Sequence, residues 1–187
     1  MGSKNERPLA SKDATSKGYW QFSTLIGHDQ SNGGSGAGSS ESSFDQNNDY
    51  KNFNRSSAYF WGSYFGLGSG YVYFFPPTSG NYSIKTNYYL KGNIQAGSLN
   101  TRLIVVDTAT NGVVYEDNLN SFTQGAYNNN LYSPIKQMYL TGGGCYGIIF
   151  QSETNASATA SAALSDFAGT SGDRRYIHWN SFGMQQL

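Results

Sequence analysis

Cysteine occurs once in the chain, at Cys145, which excludes an intrachain disulfide and any cysteine-rich metal site. Inside the run CYGIIF it reads as a small buried hydrophobe rather than a reactive thiol. Histidine occurs only as His28 and His178. A nucleophile needs a base beside it, and neither histidine stands in a G-x-S-x-G or comparable context, so both read as structural or solvated. Charge is scarce at 13% and balanced, with 12 basic against 12 acidic residues. Nucleic-acid binding draws its affinity from neutralised phosphates, so a chain of zero formal net charge is not expected to have a nucleic-acid partner. The same balance removes long-range repulsion between copies and leaves self-association unopposed. The acids stand singly, as Asp107, Glu116, Asp117, Asp166 and Asp173, and form no recognisable glycosidase pair. No enzyme is expected. No apolar run reaches bilayer length, and MGSKNERPLASKDATSK lacks the apolar stretch of a signal peptide, so no membrane partner is expected. The expected setting is a virion or an extracellular surface.

Glycine (23 residues), tyrosine (15) and phenylalanine (11) are abundant. A disordered chain lacks such aromatics, while Tyr, Phe, Val, Ile and Thr punctuated by Gly, Asn and Ser are the vocabulary of strands and turns. The fold expected is all-β. Its central stretch is Tyr71 to Leu90, YVYFFPPTSGNYSIKTNYYL, where Tyr82, Ile84, Thr86, Tyr88 and Leu90 alternate with Ser83, Lys85, Asn87 and Tyr89. That period of two marks a half-buried strand, and the two prolines mark the turn before it. TRLIVVDTA and VVYEDNL flank Thr110-Asn111-Gly112, a type I′ hairpin signal. CYGIIFQSE and the alternating NASATASAALSDF read as further strands, and RRYIHWNSFGMQQL as the last. Roughly eight to ten strands fit an antiparallel two-sheet sandwich of jelly-roll type. Residues 1–17 read as a polar, flexible N-terminal arm. Residues 18–56 read as a strand with Trp20 followed by a flexible Gly/Ser loop over 30–43, and 57–187 as the sandwich.

Tyr, Ser, Gly and Asn together are the residues of binding loops, where Tyr supplies rigid amphipathic area and the others adapt their hydrogen bonds. Tyrosines and phenylalanines on alternating strands are assigned to the core. The binding or interface candidates are Trp20, Tyr59, Trp61, Tyr64, Phe65, Tyr127 and Tyr132, with Phe122 also on a segment read as loop. The run DQNND places Asp45, Asn47 and Asp49 at positions 1, 3 and 5 of a calcium loop. Tyr50 stands where that loop needs Gly and Ser56 where it needs Glu, which excludes an EF-hand. A loose Ca²⁺ site is the one metal reading left, a solvated turn is the better one, and no cofactor is expected.

The order FFPPTSGNYSIKTNYYL, MYLTGGGCYGIIF, SDFAG resembles the C1q/TNF-like jelly rolls, including those at the ends of phage fibres. The positions carrying it are Pro77, Gly80, Tyr82, Leu140, Gly143, Phe167 and Gly169. Two features depart from that pattern: the chain runs on nearly twenty residues past Phe167, and Gly144-Cys145 stands where an acid is usual. The resemblance implies a non-enzymatic trimeric module. Composition and resemblance together give a self-assembling subunit of a virion (decoration, fibre or tail), in contact with copies of itself and other structural subunits. The alternatives are an extracellular filament subunit, and a carbohydrate-binding module or adhesin with Trp61 and nearby tyrosines as stacking platforms.

Overall fold

The computed structural model describes residues 11–12, 18–22, 27–45, 51–94, 97–123, 125–158, 163–166 and 176–187. These form twelve strands, all paired antiparallel, and no helix. The all-β expectation holds. The strands are β1 (Ser11–Lys12), β2 (Tyr19–Phe22), β3 (Gly27–Asp45), β4 (Lys51–Phe74), β5 (Gly80–Ile94), β6 (Ser98–Asp107), β7 (Gly112–Phe122), β8 (Gly125–Tyr132), β9 (Ile135–Leu140), β10 (Tyr146–Ala158), β11 (Ala163–Asp166) and β12 (Tyr176–Gln186).

Hydrogen bonding runs continuously through them, but the ladder folds over into the two layers of a jelly-roll-like sandwich. One layer runs β3-β4-β10-β6-β7. The other runs β1-β2-β12-β5, with β8 and β9 end to end along the far side of β5. Short β11 bridges them by pairing with both β4 and β5.

The core lies between the layers. β5 buries Tyr82, Ile84, Thr86, Tyr88 and Leu90, the face its alternation predicts. Facing it, β10 contributes Tyr146, Ile148 and Phe150, and β6 contributes Leu99, Leu103 and Val105. Phe150 stacks on Phe182 of β12 at 4.2 Å, and Trp20 and Phe74 meet in a T-shaped pair at 5.2 Å, so aromatic pairs clamp one layer to the other. The Tyr88 hydroxyl reaches across to Thr101 Oγ1 (2.9 Å) and donates to Asn120 Oδ1 (2.6 Å). Ser152 and Thr154 turn inward on β10 and donate to the carbonyls of Gly68 and Gly66.

Burial raises the Tyr88 pKa well above its ordinary value of 10.0, against a smaller lowering by the Thr101 hydrogen bond. The folded state therefore keeps its phenol proton where the unfolded chain gives it up. The stabilisation is complete below pH 10 and is lost as pH rises from there toward the folded pKa, by about 1.4 kcal/mol per unit. Urea midpoints measured between pH 9 and 11 are expected to fall more steeply for the native chain than for Tyr88→Phe. Parallel slopes would remove Tyr88 as the cause.

Two local expectations change. The β6–β7 hairpin forms where Asn111-Gly112 places it, but Asp107 pairs with Gly112, so the loop is the four residues 108–111 rather than Thr110-Asn111-Gly112. Asn111 alone takes the left-handed conformation (φ 55°). Residues 30–43 are strand, not a flexible loop, as part of the 19-residue β3. Aromatic neighbours on β4 lie against two of its glycines: a Cβ at Gly34 would clash with Tyr64 Cδ1 and the Ser63 oxygen, and one at Gly33 would meet the Phe65 ring at 3.2 Å. The strand's lack of side chains is what lets those rings lie on it.

Candidate functional site

At one end of the sandwich three turns are tied together. Gly143, at φ 77°, donates its N–H to the Pro76 oxygen (2.9 Å), Gly142 N–H donates to Ser79 Oγ (2.9 Å), and both the N–H and the hydroxyl of Thr108 donate to the Cys145 oxygen (3.0 and 2.9 Å). Immediately beside this end, the outer face of the β4-β10-β6 layer carries a shallow groove of ≈ 240 Å³ lined by Tyr71, Tyr73, Val106, Thr108, Asn111, Gly147 and Ile149.

The groove follows from strand register. Val72 and Phe74 turn into the core, so Tyr71 and Tyr73 turn outward. Gly147 pairs with Tyr73 on one side and Val106 on the other. Having no side chain, it leaves a floor of bare backbone between a wall of tyrosine and a wall of valine. The two tyrosine rings, 5.7 Å apart and tilted 58°, form the taller wall. Asn111 and Thr108 supply an amide and a hydroxyl at the hairpin end. A concave apolar surface with a few convergent polar groups, built on rigid strands, is the usual form of a small-ligand site.

The residues singled out from sequence are not brought together. Trp20 is 8% exposed and packs in the core against Phe74 and Tyr82, so its ring is not offered to a partner from this chain. Tyr64 and Phe65 are half-buried in β4 rather than in a loop, with the Tyr64 hydroxyl donating to the Gly36 oxygen (2.6 Å). Tyr127 and Tyr132 lie in β8, half-buried around Phe122, which is itself core. Tyr59 and Trp61 contribute backbone to β4, and their side chains lie outside the described residues. Asp45 ends β3, while Asn47 and Asp49 lie outside the described residues. Among the described residues no three His, Cys, Asp or Glu side chains gather as a metal-binding group. Cys145 is half-exposed beside the Gly142–Gly143 turn rather than buried. His28 and His178 take backbone positions in β3 and β12.

Acids are engaged away from the groove, in part across to the other layer. Arg102 lies 3.5 Å from both Glu116 and Glu153, and Asp117 accepts from Lys136 Nζ at 2.6 Å. That hydrogen bond holds the Asp117 carboxyl below the usual carboxylate range.

Of the residues carrying the jelly-roll resemblance, Tyr82 and Leu140 are core, Gly80 opens β5 and Gly143 makes the tight turn. Phe167 and Gly169 lie outside the described residues. Sequence reasoning missed Tyr71, Tyr73 and Gly147. The run Tyr-Val-Tyr-Phe is aromatic or apolar on both faces, so it carries no signal for which side turns outward.

No protein-family model and no curated protein matches the chain. Solved structures do. An isomaltodextranase of Arthrobacter globiformis in complex with panose matches at 13% identity and TM-score 0.39 over 89% of this chain and 23% of its own. A family 35 carbohydrate-binding module from Clostridium thermocellum matches at 11% and 0.33, over 87% and 100%. The TNF protein Eiger from S. frugiperda matches at 12% and 0.31, over 63% and 64%. The chain thus spans less than a quarter of the isomaltodextranase. Likenesses at these scores assign neither family nor ligand.

Proposed function

We propose that the chain is a non-enzymatic β-sandwich binding module that holds a glycan in the groove between Tyr71, Tyr73 and Gly147. The observation that carries this reading is the pairing of two outward tyrosines with a side-chain-free floor. A sugar ring has an apolar C–H face and a rim of hydroxyls. The tyrosine rings and Ile149 offer apolar area to the first, and Asn111, Thr108 and the phenols offer hydrogen bonds to the second. The test is calorimetric titration with soluble β-glucan, xylan, galactan and mannan. Binding of at least one is expected, weakened about tenfold or more in Tyr73→Ala, the factor for losing roughly 60 Å² of apolar contact. If none of the four binds, or if Tyr73→Ala binds as well as native, the reading falls.

A second reading, a self-assembling subunit of a virion or other exposed particle, has an observation of its own. Leu131, Ile135 and Tyr139 are 55%, 59% and 63% exposed along β8 and β9. Sedimentation should then show an oligomer that Ile135→Glu with Tyr139→Glu dissociates. A native chain that stays monomeric at high concentration would refute it.

A further inference from the structure

The groove is one end of a longer surface. Below Gly147 and Ile149, Gln151, Glu153 and Asn155 follow on the outer side of β10, and register places Leu67 and Phe65 of β4 opposite Glu153 and Asn155. From Tyr73 to Phe65 is eight residues of one strand, about 26 Å at roughly 3.3 Å per residue. The surface is apolar at both ends. Tyr71 and Tyr73 stand at the first, and Phe65, resting over the bare backbone of Gly33, stands at the second. Its middle is polar: Gln151 is paired in register with Arg102, whose guanidinium lies between Glu116 and Glu153. Arg102 Nε is buried away from any surface ligand, but the side chain is 35% exposed and each terminal nitrogen keeps a second N–H beyond its ion pair. One cation between two carboxylates leaves this stretch with an excess negative charge, which repels an acidic chain and leaves a neutral one unaffected.

Resting on the glycan reading above, we infer that the ligand is an extended, uncharged polysaccharide chain lying along β10 from Tyr73 to Phe65, not a single terminal sugar. Tyr73 and Phe65 hold its two ends, and Gln151 and Arg102 hydrogen-bond its middle. Glu116 and Glu153 turn away uronate or sulfated chains. The track follows one β10–β4 register without a bulge, so it suits a linear polymer and rejects a branched head.

The test uses the full chain and oligosaccharides of two and eight residues cut from whichever of the four polysaccharides binds, together with a carboxymethylated form of that polymer. The octasaccharide is expected to bind at least about tenfold more tightly than the disaccharide. Phe65→Ala is expected to erase that gain while leaving disaccharide affinity within about twofold, which also shows that the variant is folded. The carboxymethylated polymer is expected to bind at least about tenfold more weakly than the neutral one at low salt, a difference that Glu116→Gln with Glu153→Gln narrows. Equal affinity for the two lengths overturns the extended track, and so does equal loss of both ligands in Phe65→Ala, while the glycan reading survives either. Absence of binding to all four polymers overturns both.

Discussion

Phe150→Ala is expected to cost the fold about 3–5 kcal/mol, toward the upper end of what a single truncation removes. Phe150 is fully buried at mid-strand and stacks on Phe182 of the opposite layer with 13° between the rings, so its loss opens a void where the layers are clamped. The size of the effect depends on whether neighbours can close that void. On one side the register partner is Leu103, already fully buried and packed; on the other it is Gly70, which has no side chain to move. The backbone cannot sink either, because β10 is held by ladders on both sides through this region. A cavity that cannot collapse retains its full penalty, and a domain holds only about 5–15 kcal/mol in total. Urea unfolding gives the check. A loss under about 1 kcal/mol with an unchanged denaturant slope would mean that the stacked pair is not the clamp between the layers.

The parts of this fold legible in the sequence are those where one face is buried and the other wet. In β5 the alternation of Tyr82, Ile84, Thr86, Tyr88 and Leu90 with polar residues names the inner face directly, because each residue's surroundings are set by its own strand. β3 fails that condition. Its Gly/Ser composition has little of its own to bury, which reads as a flexible loop, yet it pairs along its length with β4, whose Phe65 and Tyr64 rings lie beside Gly33 and Gly34. Local composition does not show a backbone ladder supplied by another strand. The hairpin after β6 is an intermediate case: Asn111 carries the turn's left-handed residue, but loop length depends on where pairing resumes, and it resumes at Gly112.

The site was obscure for a related reason. Tyr71 and Tyr73 stand in a run aromatic or apolar at every position, YVYFF, so pattern alone assigns both faces to the core. Only the pairing with β10 shows that Val72 and Phe74 take the inner side and that Gly147 lies beside Tyr73. Trp20 failed in the opposite direction, since a tryptophan near the start of a polar region looks like an interface residue until its contacts with Phe74 and Tyr82 are known.

Gly147→Leu is expected to abolish glycan binding, by more than about a hundredfold, while leaving the fold as stable as before or slightly more so. The position is in the interior of β10, where glycine weakens a strand and a β-forming or bulky residue ordinarily serves better. Steric need does not explain its presence, because an added Cβ would meet nothing closer than Tyr73 Cε1 at 3.9 Å and the Val106 oxygen at 4.0 Å, ordinary contact distances. The backbone does not require it either, since Gly147 has no positive φ. The room above it is the groove itself, so a leucine there points outward between Tyr73 and Val106 and occupies the space assigned to the sugar ring. The variant therefore separates the two uses of this surface: stability read by urea unfolding and binding read by calorimetry should part company. Loss of both together would mean that Gly147 serves the packing of β4 against β10. Retention of both would move the ligand away from the tyrosine wall altogether.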